Sequence, residues 1–91
     1  MKFDSKKEAK RWGELLLLQS AGLISGLRRQ VRIPIVVNQT RVCVYVADAV
    51  YIEGSSRIVE DTKSPITRKH PVYRLKRKLL SALYKIDIRE V

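Results

Sequence analysis

Residues 41–63 read RVCVYVADAVYIEGSSRIVEDTK, two β-branched apolar runs joined by Gly54-Ser55-Ser56. Such alternation around a glycine-serine turn predicts an antiparallel hairpin, and a hairpin with an apolar face needs further layers to cover it. The same segment holds a conflict. The chain carries a formal charge of +10, yet between Val42 and Thr62 four acids (Asp48, Glu53, Glu60, Asp61) stand against one base, Arg57. Strand side chains alternate faces. Strict alternation puts Asp48 with Val42, Val44, Val46, Val50 and Ile52, and leaves Cys43, Tyr45, Ala47, Ala49 and Tyr51 opposite. An ionised carboxylate on an aliphatic face requires a metal, a cation or a proton. On the next strand Val59, Asp61 and Lys63 share one face, while Ile58, Glu60 and Thr62 take the other. Hairpin pairing is expected to bring Asp48 near Asp61 and Lys63.

The rest of the chain supplies the covering layers. Asp4-Ser5 precede a helical pattern, and Ser5-Lys-Lys-Glu8 reads as a capping box, so a helix is predicted from about residue 5 to 21, ending near Gly22. Residues 27–37 are β-branched and basic, with Pro34 marking an edge or a bulge. Asn38-Gln39-Thr40 is a turn, and strands are expected over 41–52 and 57–63. A basic loop follows over 64–70. Pro71 opens a second helix to about Tyr84, and 86–91 form a last short strand. The order α-β-β-β-α-β predicts a single α/β (α+β) domain over residues 1–91, its central mixed sheet flanked by two helices.

On the first helix Glu8 falls between Trp12 and Leu15, on the apolar side. On the second, Val72, Leu75, Leu79, Leu80 and Leu83 form the predicted buried stripe. Lys76 lies inside it, while Arg74, Arg77, Lys78 and Lys85 point away. Glu8, Asp48, Asp61, Lys63 and Lys76 thus break into the expected interior, and one shared site would account for all five.

Nineteen Lys and Arg against nine acids favour a polyanionic partner, nucleic acid first. Cys43 is the single cysteine, which excludes an internal disulfide and a cysteine-based zinc site. A reducing, cytoplasmic setting fits. No apolar run is long enough for a membrane-spanning helix, and MKFDSKKEAKRW shows no signal-peptide core.

Carboxylates are hard oxygen ligands for Mg²⁺ or Mn²⁺, and a lysine beside them stabilises charge developing on a phosphate. Asp48, twelve residues, then Asp61-Thr62-Lys63 resembles the relaxed PD-(D/E)xK nuclease signature. The element order resembles that superfamily's restriction-endonuclease-like core. FDSKKEAKRW, YVADAVY, IVEDTKS and YRLKRKLL are similar to segments of small phage-encoded proteins grouped with Holliday-junction-resolvase-like nucleases.

The resemblance implies Asp48 and Asp61 as metal ligands, the Thr62 carbonyl as a further ligand, Lys63 as the catalytic lysine and Glu8 as the extra acid. Lys76 stands for a basic or amide residue on the following helix. It implies Mg²⁺ or Mn²⁺ as cofactor, branched or junction DNA as substrate and the host cytoplasm as location if the chain is phage-encoded. The chain departs from the pattern at Ala47, where a proline commonly precedes the first acid. It departs again at Asp61, which replaces the commoner glutamate and leaves Glu60 as a rival ligand.

Blander roles stand beside these. Glu8 can be only the capping partner of Ser5, and Asp48 a salt-bridged strand-end residue. Asp61 and Lys63 can form a surface ion pair, and Lys76 can snorkel from the edge of its stripe. Lys7, Arg11, Arg57, Arg68, Lys69, Arg74 and Arg77 are the candidate phosphate contacts; the bland reading makes them a solvated face. Leu17 and Leu18 extend the apolar face of the first helix, and with the small size of the chain they suggest a homodimer. The functions that follow are a metal-dependent DNA endonuclease, a non-catalytic DNA-binding module on the same fold, and a basic protein-interaction domain.

Overall fold

The computed structural model describes residues 5–91; Asp4, part of the helix-entry signal, lies outside them. The elements are α1 (Lys6–Ser20), β1 (Ser25–Val37), β2 (Thr40–Glu53), β3 (Ser56–Asp61), α2 (Pro65–Arg68), α3 (Pro71–Tyr84) and β4 (Ile88–Glu90). The fold is α+β, with a four-stranded mixed sheet in the order β1-β2-β3-β4. The first two pairings are antiparallel and β3 pairs with β4 in parallel. The predicted basic loop contains the short α2, started by Ser64 accepting from the Thr67 amide and by Pro65 in the first turn. β3 ends at Asp61, two residues early, although the Lys63 amide still donates to the Val91 carbonyl.

α1 begins where the sequence says it should. The Ser5 hydroxyl accepts from the Glu8 amide at 3.1 Å. Gly22, at φ 78°, ends the helix: its amide donates to the Gln19 carbonyl, and the Leu23 amide donates to that of Leu18. Two buried clusters lie on opposite faces of the sheet. Leu15 of α1 packs with Ile24, Ala49 and Tyr51, joined by Trp12, Leu18, Leu27 and Ile58. Tyr73 and Leu80 of α3 pack with Ile35, Tyr45, Ala47, Val50, Val59 and Ile88.

These clusters correct the strict alternation on β2. Tyr45 and Ala47 share the α3 side with Val50, whereas Ala49 and Tyr51 turn to the α1 side. The alternation therefore changes phase at Asp48, and of the valines grouped with it Val50 is buried while Val42 and Val46 are exposed. The partner strand is irregular at the same level. Gln30 has φ 55° and lies between the pairs Arg29↔Ala49 and Val31↔Ala47. One irregular residue on each strand changes the faces and keeps the register.

α3 is also rotated from its expected setting. Val72, Leu75 and Leu83 are exposed, and the buried positions are Tyr73 and Leu80. The true inward row is Tyr73-Lys76-Leu80, spaced i, i+3, i+7. It is hard to see in the sequence because two of its three residues are polar or amphipathic.

The β1–β2 turn makes its own prediction. Val37 pairs with Thr40, and the two residues between them, Asn38 (φ 49°) and Gln39 (φ 66°), are both left-handed, as a type I′ turn requires. Asparagine tolerates that region; glutamine is strained there. Gln39→Gly is expected to raise stability by about 0.5–1 kcal/mol after allowing for glycine's freedom in the unfolded chain. The check is a higher urea midpoint at unchanged slope.

Candidate functional site

The β2–β3 ladder begins at Ala49↔Glu60, so the next residues outward, Asp48 and Asp61, face each other where regular pairing stops. Their carboxylates take over the ladder. The Asp48 amide donates to Asp61 Oδ1 at 2.9 Å, and the Thr62 amide donates to Asp48 Oδ2 at 2.9 Å. On its other side Asp61 is clamped by the residue after β4: the Val91 amide donates to the Asp61 carbonyl. Asp61 is fully buried, and its Oδ2 has no hydrogen-bond partner. Burial pushes its pKa up from 3.8 to about 6, the nearby Glu8 and Glu90 charges push the same way, and Lys63 and the Asp48 amide oppose them.

Lys63 sits two residues beyond Asp61, its ammonium 5.1 Å from the centroid of the Tyr73 ring. The Tyr73 hydroxyl donates to Glu90 Oε2 at 2.8 Å, and Glu90 Oε1 lies 3.3 Å from Arg77. The Tyr73 pKa is raised by burial and by that hydrogen bond. Tyr73 and Glu90 support the site although the sequence reading left them out. Tyr73 was hidden by the rotated stripe, and Glu90 meets Asp61 only through the parallel β3–β4 register.

Glu8 is buried, and its Oε1 accepts from Arg29 at 3.4 Å and Gln30 at 3.3 Å. It thus faces the irregular level of β1, close enough to bear on Asp61. Glu60 belongs to the α1 face of the sheet, with Arg11 and Tyr51. Both of its oxygens bind Arg11 at 2.8 Å, and the Tyr51 hydroxyl donates to it at 2.6 Å. Its carboxylate is therefore committed, whereas Asp61 keeps one oxygen without a partner. Arg11, a candidate phosphate contact, is spent on this internal pair, which raises its pKa.

The other predicted contacts divide. Lys7 donates to the Lys63 carbonyl at 3.3 Å, at the edge of the site. Arg68, Lys69 and Arg74 are exposed on α2, the following turn and α3. Arg57 lies apart, in an open pocket of about 620 Å³ beside Tyr84 and Asp87. Volume therefore does not mark the acids. Lys76 points inward as predicted, but its ammonium reaches the Val44 carbonyl at 3.1 Å, on the edge of β2 that β3 leaves open.

Among the described residues no group of three or more His, Cys, Asp or Glu is spaced to hold a metal. Asp48 and Asp61 are the carboxylates that would face a cation here, and Asp61 Oδ2 is the oxygen without a partner; Mg²⁺ is commonly held by one or two carboxylates with water and substrate phosphate completing the shell. Among the described residues no helix is long and apolar enough to cross a membrane. No protein-family model, curated protein or solved structure matches the chain.

Proposed function

We propose that the protein is a metal-dependent DNA endonuclease with a restriction-endonuclease-like core of the PD-(D/E)xK kind. One observation carries this reading: Asp48 and Asp61 meet across adjacent strands, with a buried unpartnered oxygen on Asp61 and Lys63 two residues away. Asp48, Asp61 and the Thr62 carbonyl would hold Mg²⁺ or Mn²⁺. When bound, the ion supplies positive charge for a phosphate and lowers the pKa of a water. Lys63 stabilises charge developing on the phosphate, and Tyr73 holds its ammonium in place. Glu8, anchored by Arg29 and Gln30, adds negative potential that favours the cation. Branched DNA follows from the resemblance in sequence. A symmetric dimer with two sites would suit it, and Leu17, 72% exposed on α1, offers apolar surface for a partner.

The second reading is a basic DNA-binding module without turnover, supported by the formal charge of +10 and by Arg68, Lys69 and Arg74 exposed on α2, the turn after it and α3. The two are separated by incubating labelled four-way junction, flap, duplex and single-stranded DNA with Mg²⁺, Mn²⁺ or EDTA. Cleavage of the junction in Mn²⁺ but not in EDTA is expected. Inactivity on every substrate with both ions, alongside salt-sensitive binding, would leave the binding module.

A further inference from the structure

Beside the carboxylates, a cleft of about 330 Å³ opens between α2, the first turn of α3 and the open edge of β2. Its polar lining is Lys63, Lys76, His70, Thr67 and the two tyrosines Tyr45 and Tyr73, the Tyr45 hydroxyl being buried without a hydrogen-bond partner, and Val46 and Val72 add apolar wall. No acidic side chain lines it, and none of the ion pairs among the described residues includes Lys63 or Lys76. Lys63 Nζ lies over the Tyr73 ring and Lys76 Nζ on the Val44 carbonyl, so two ammonium groups on one lining make the cleft attractive to an anion. His70 is oriented as a donor: its Nδ1 accepts from the Val72 amide at 3.3 Å, which puts the proton of the neutral ring on Nε2. The N-terminal end of α3, a helix of fourteen residues, adds its dipole in the same sense.

The volume is near the lower limit for a small-molecule site, about 300 Å³, which suits one nucleotide and not a base pair. Lys63 joins the cleft to the site of Asp61, so a strand that places a phosphodiester at the carboxylates carries its neighbouring nucleotide here. We infer that this cleft binds one unpaired nucleotide of the DNA strand, its phosphate against Lys63, Lys76 and His70 and its sugar and base against Val46 and Val72. The inference rests on the nuclease reading for its choice of ligand. It moves the main strand contact from the outer face of α3, where Arg77 is tied to Glu90, to the inner edge of β2. The substrate then needs an unpaired nucleotide beside the bond that is cut, as branched DNA provides.

His70 is the only histidine, so its ring-proton NMR signals need no assignment. The probe is the dinucleotide d(TpT), titrated at constant pH and low salt in EDTA, where no cleavage can occur. The His70 signals should move to saturation. Lys76→Gln removes the charge and keeps a donor for the Val44 carbonyl, and it should raise the half-saturating concentration about tenfold. Lys85→Gln, which removes one charge at the other end of α3, should leave it unchanged. Still signals, or equal weakening by both variants, would overturn the cleft. So would equal movement with inorganic phosphate at the same concentration, since that marks a general anion site. If the wild type cleaves in Mn²⁺ while His70 does not respond, the cleft falls and the nuclease stands. A saturating response without cleavage on any substrate keeps the cleft and removes the nuclease.

Discussion

Replacing Arg11 by alanine is expected to destabilise the fold by about 3 kcal/mol, more than any substitution of an exposed Lys or Arg. Its guanidinium binds both oxygens of Glu60, a residue only 1% exposed. Removing it strands an ionised carboxylate at the base of the sheet, with the Tyr51 hydroxyl as its remaining close partner. The low end of the range for breaking a buried pair applies because the Arg11 side chain is 24% exposed and water can partly replace it. Arg11→Lys keeps the charge and loses the two-pronged fit, so it should fall between wild type and alanine. Replacing the pair together, Arg11→Met with Glu60→Leu, should recover most of the loss, because no carboxylate is then left alone. Urea unfolding of the four proteins checks this. An Arg11→Ala loss under about 1 kcal/mol would mean that Arg11 acts at the surface, as its place in a basic sequence suggests.

That ambiguity about Arg11 shows what the sequence can carry. A surface arginine and one buried on a partner read alike until the partner's face is known, and Glu60 is reached from α1, 49 positions away. Local signals were legible. The Ser5 cap, the Gly22 stop, the 54–56 turn and Pro71 each act within a few residues, and all lie where they were expected. The adjacency of Asp48 and Asp61 was legible too, since the hairpin register follows from its turn. Asp48's neighbours on its own strand were not: strict alternation fails where Gln30 turns left-handed on another strand, and no pattern within 41–52 records that. Tyr73 and Glu90 were hidden for the same reason, because their roles depend on how α3 is rotated and on a parallel pairing made by the end of the chain.

Asp61→Asn is expected to abolish cleavage while making the metal-free protein more stable, and the pair of effects identifies the role of this residue. The folded pKa of Asp61 is about 6, above its ordinary value of 3.8. A raised carboxyl pKa means that the folded state holds its proton more tightly than the unfolded chain. The stability this gives is fully present below about pH 4 and is lost as pH rises through 6, in total about 3 kcal/mol. In EDTA at pH 8 the wild type therefore carries a buried, partly unsatisfied carboxylate, and asparagine, of the same size and uncharged, removes that cost. At pH 4 the two proteins should unfold together; at pH 8 the variant should be the more stable by up to about 3 kcal/mol. In Mn²⁺ the variant should cleave at least about a hundredfold more slowly, while its gel shift with DNA in Ca²⁺ persists. A residue kept only for packing would give no such opposition, since losing activity through misfolding requires losing stability as well. Full cleavage by Asp61→Asn would remove the carboxylate from the chemistry. A variant less stable than wild type at pH 8 in EDTA would mean that Asp61, unlike the orphaned oxygen in the structure, has its charge satisfied within the protein itself, and the case for a cation at this site would lose its basis.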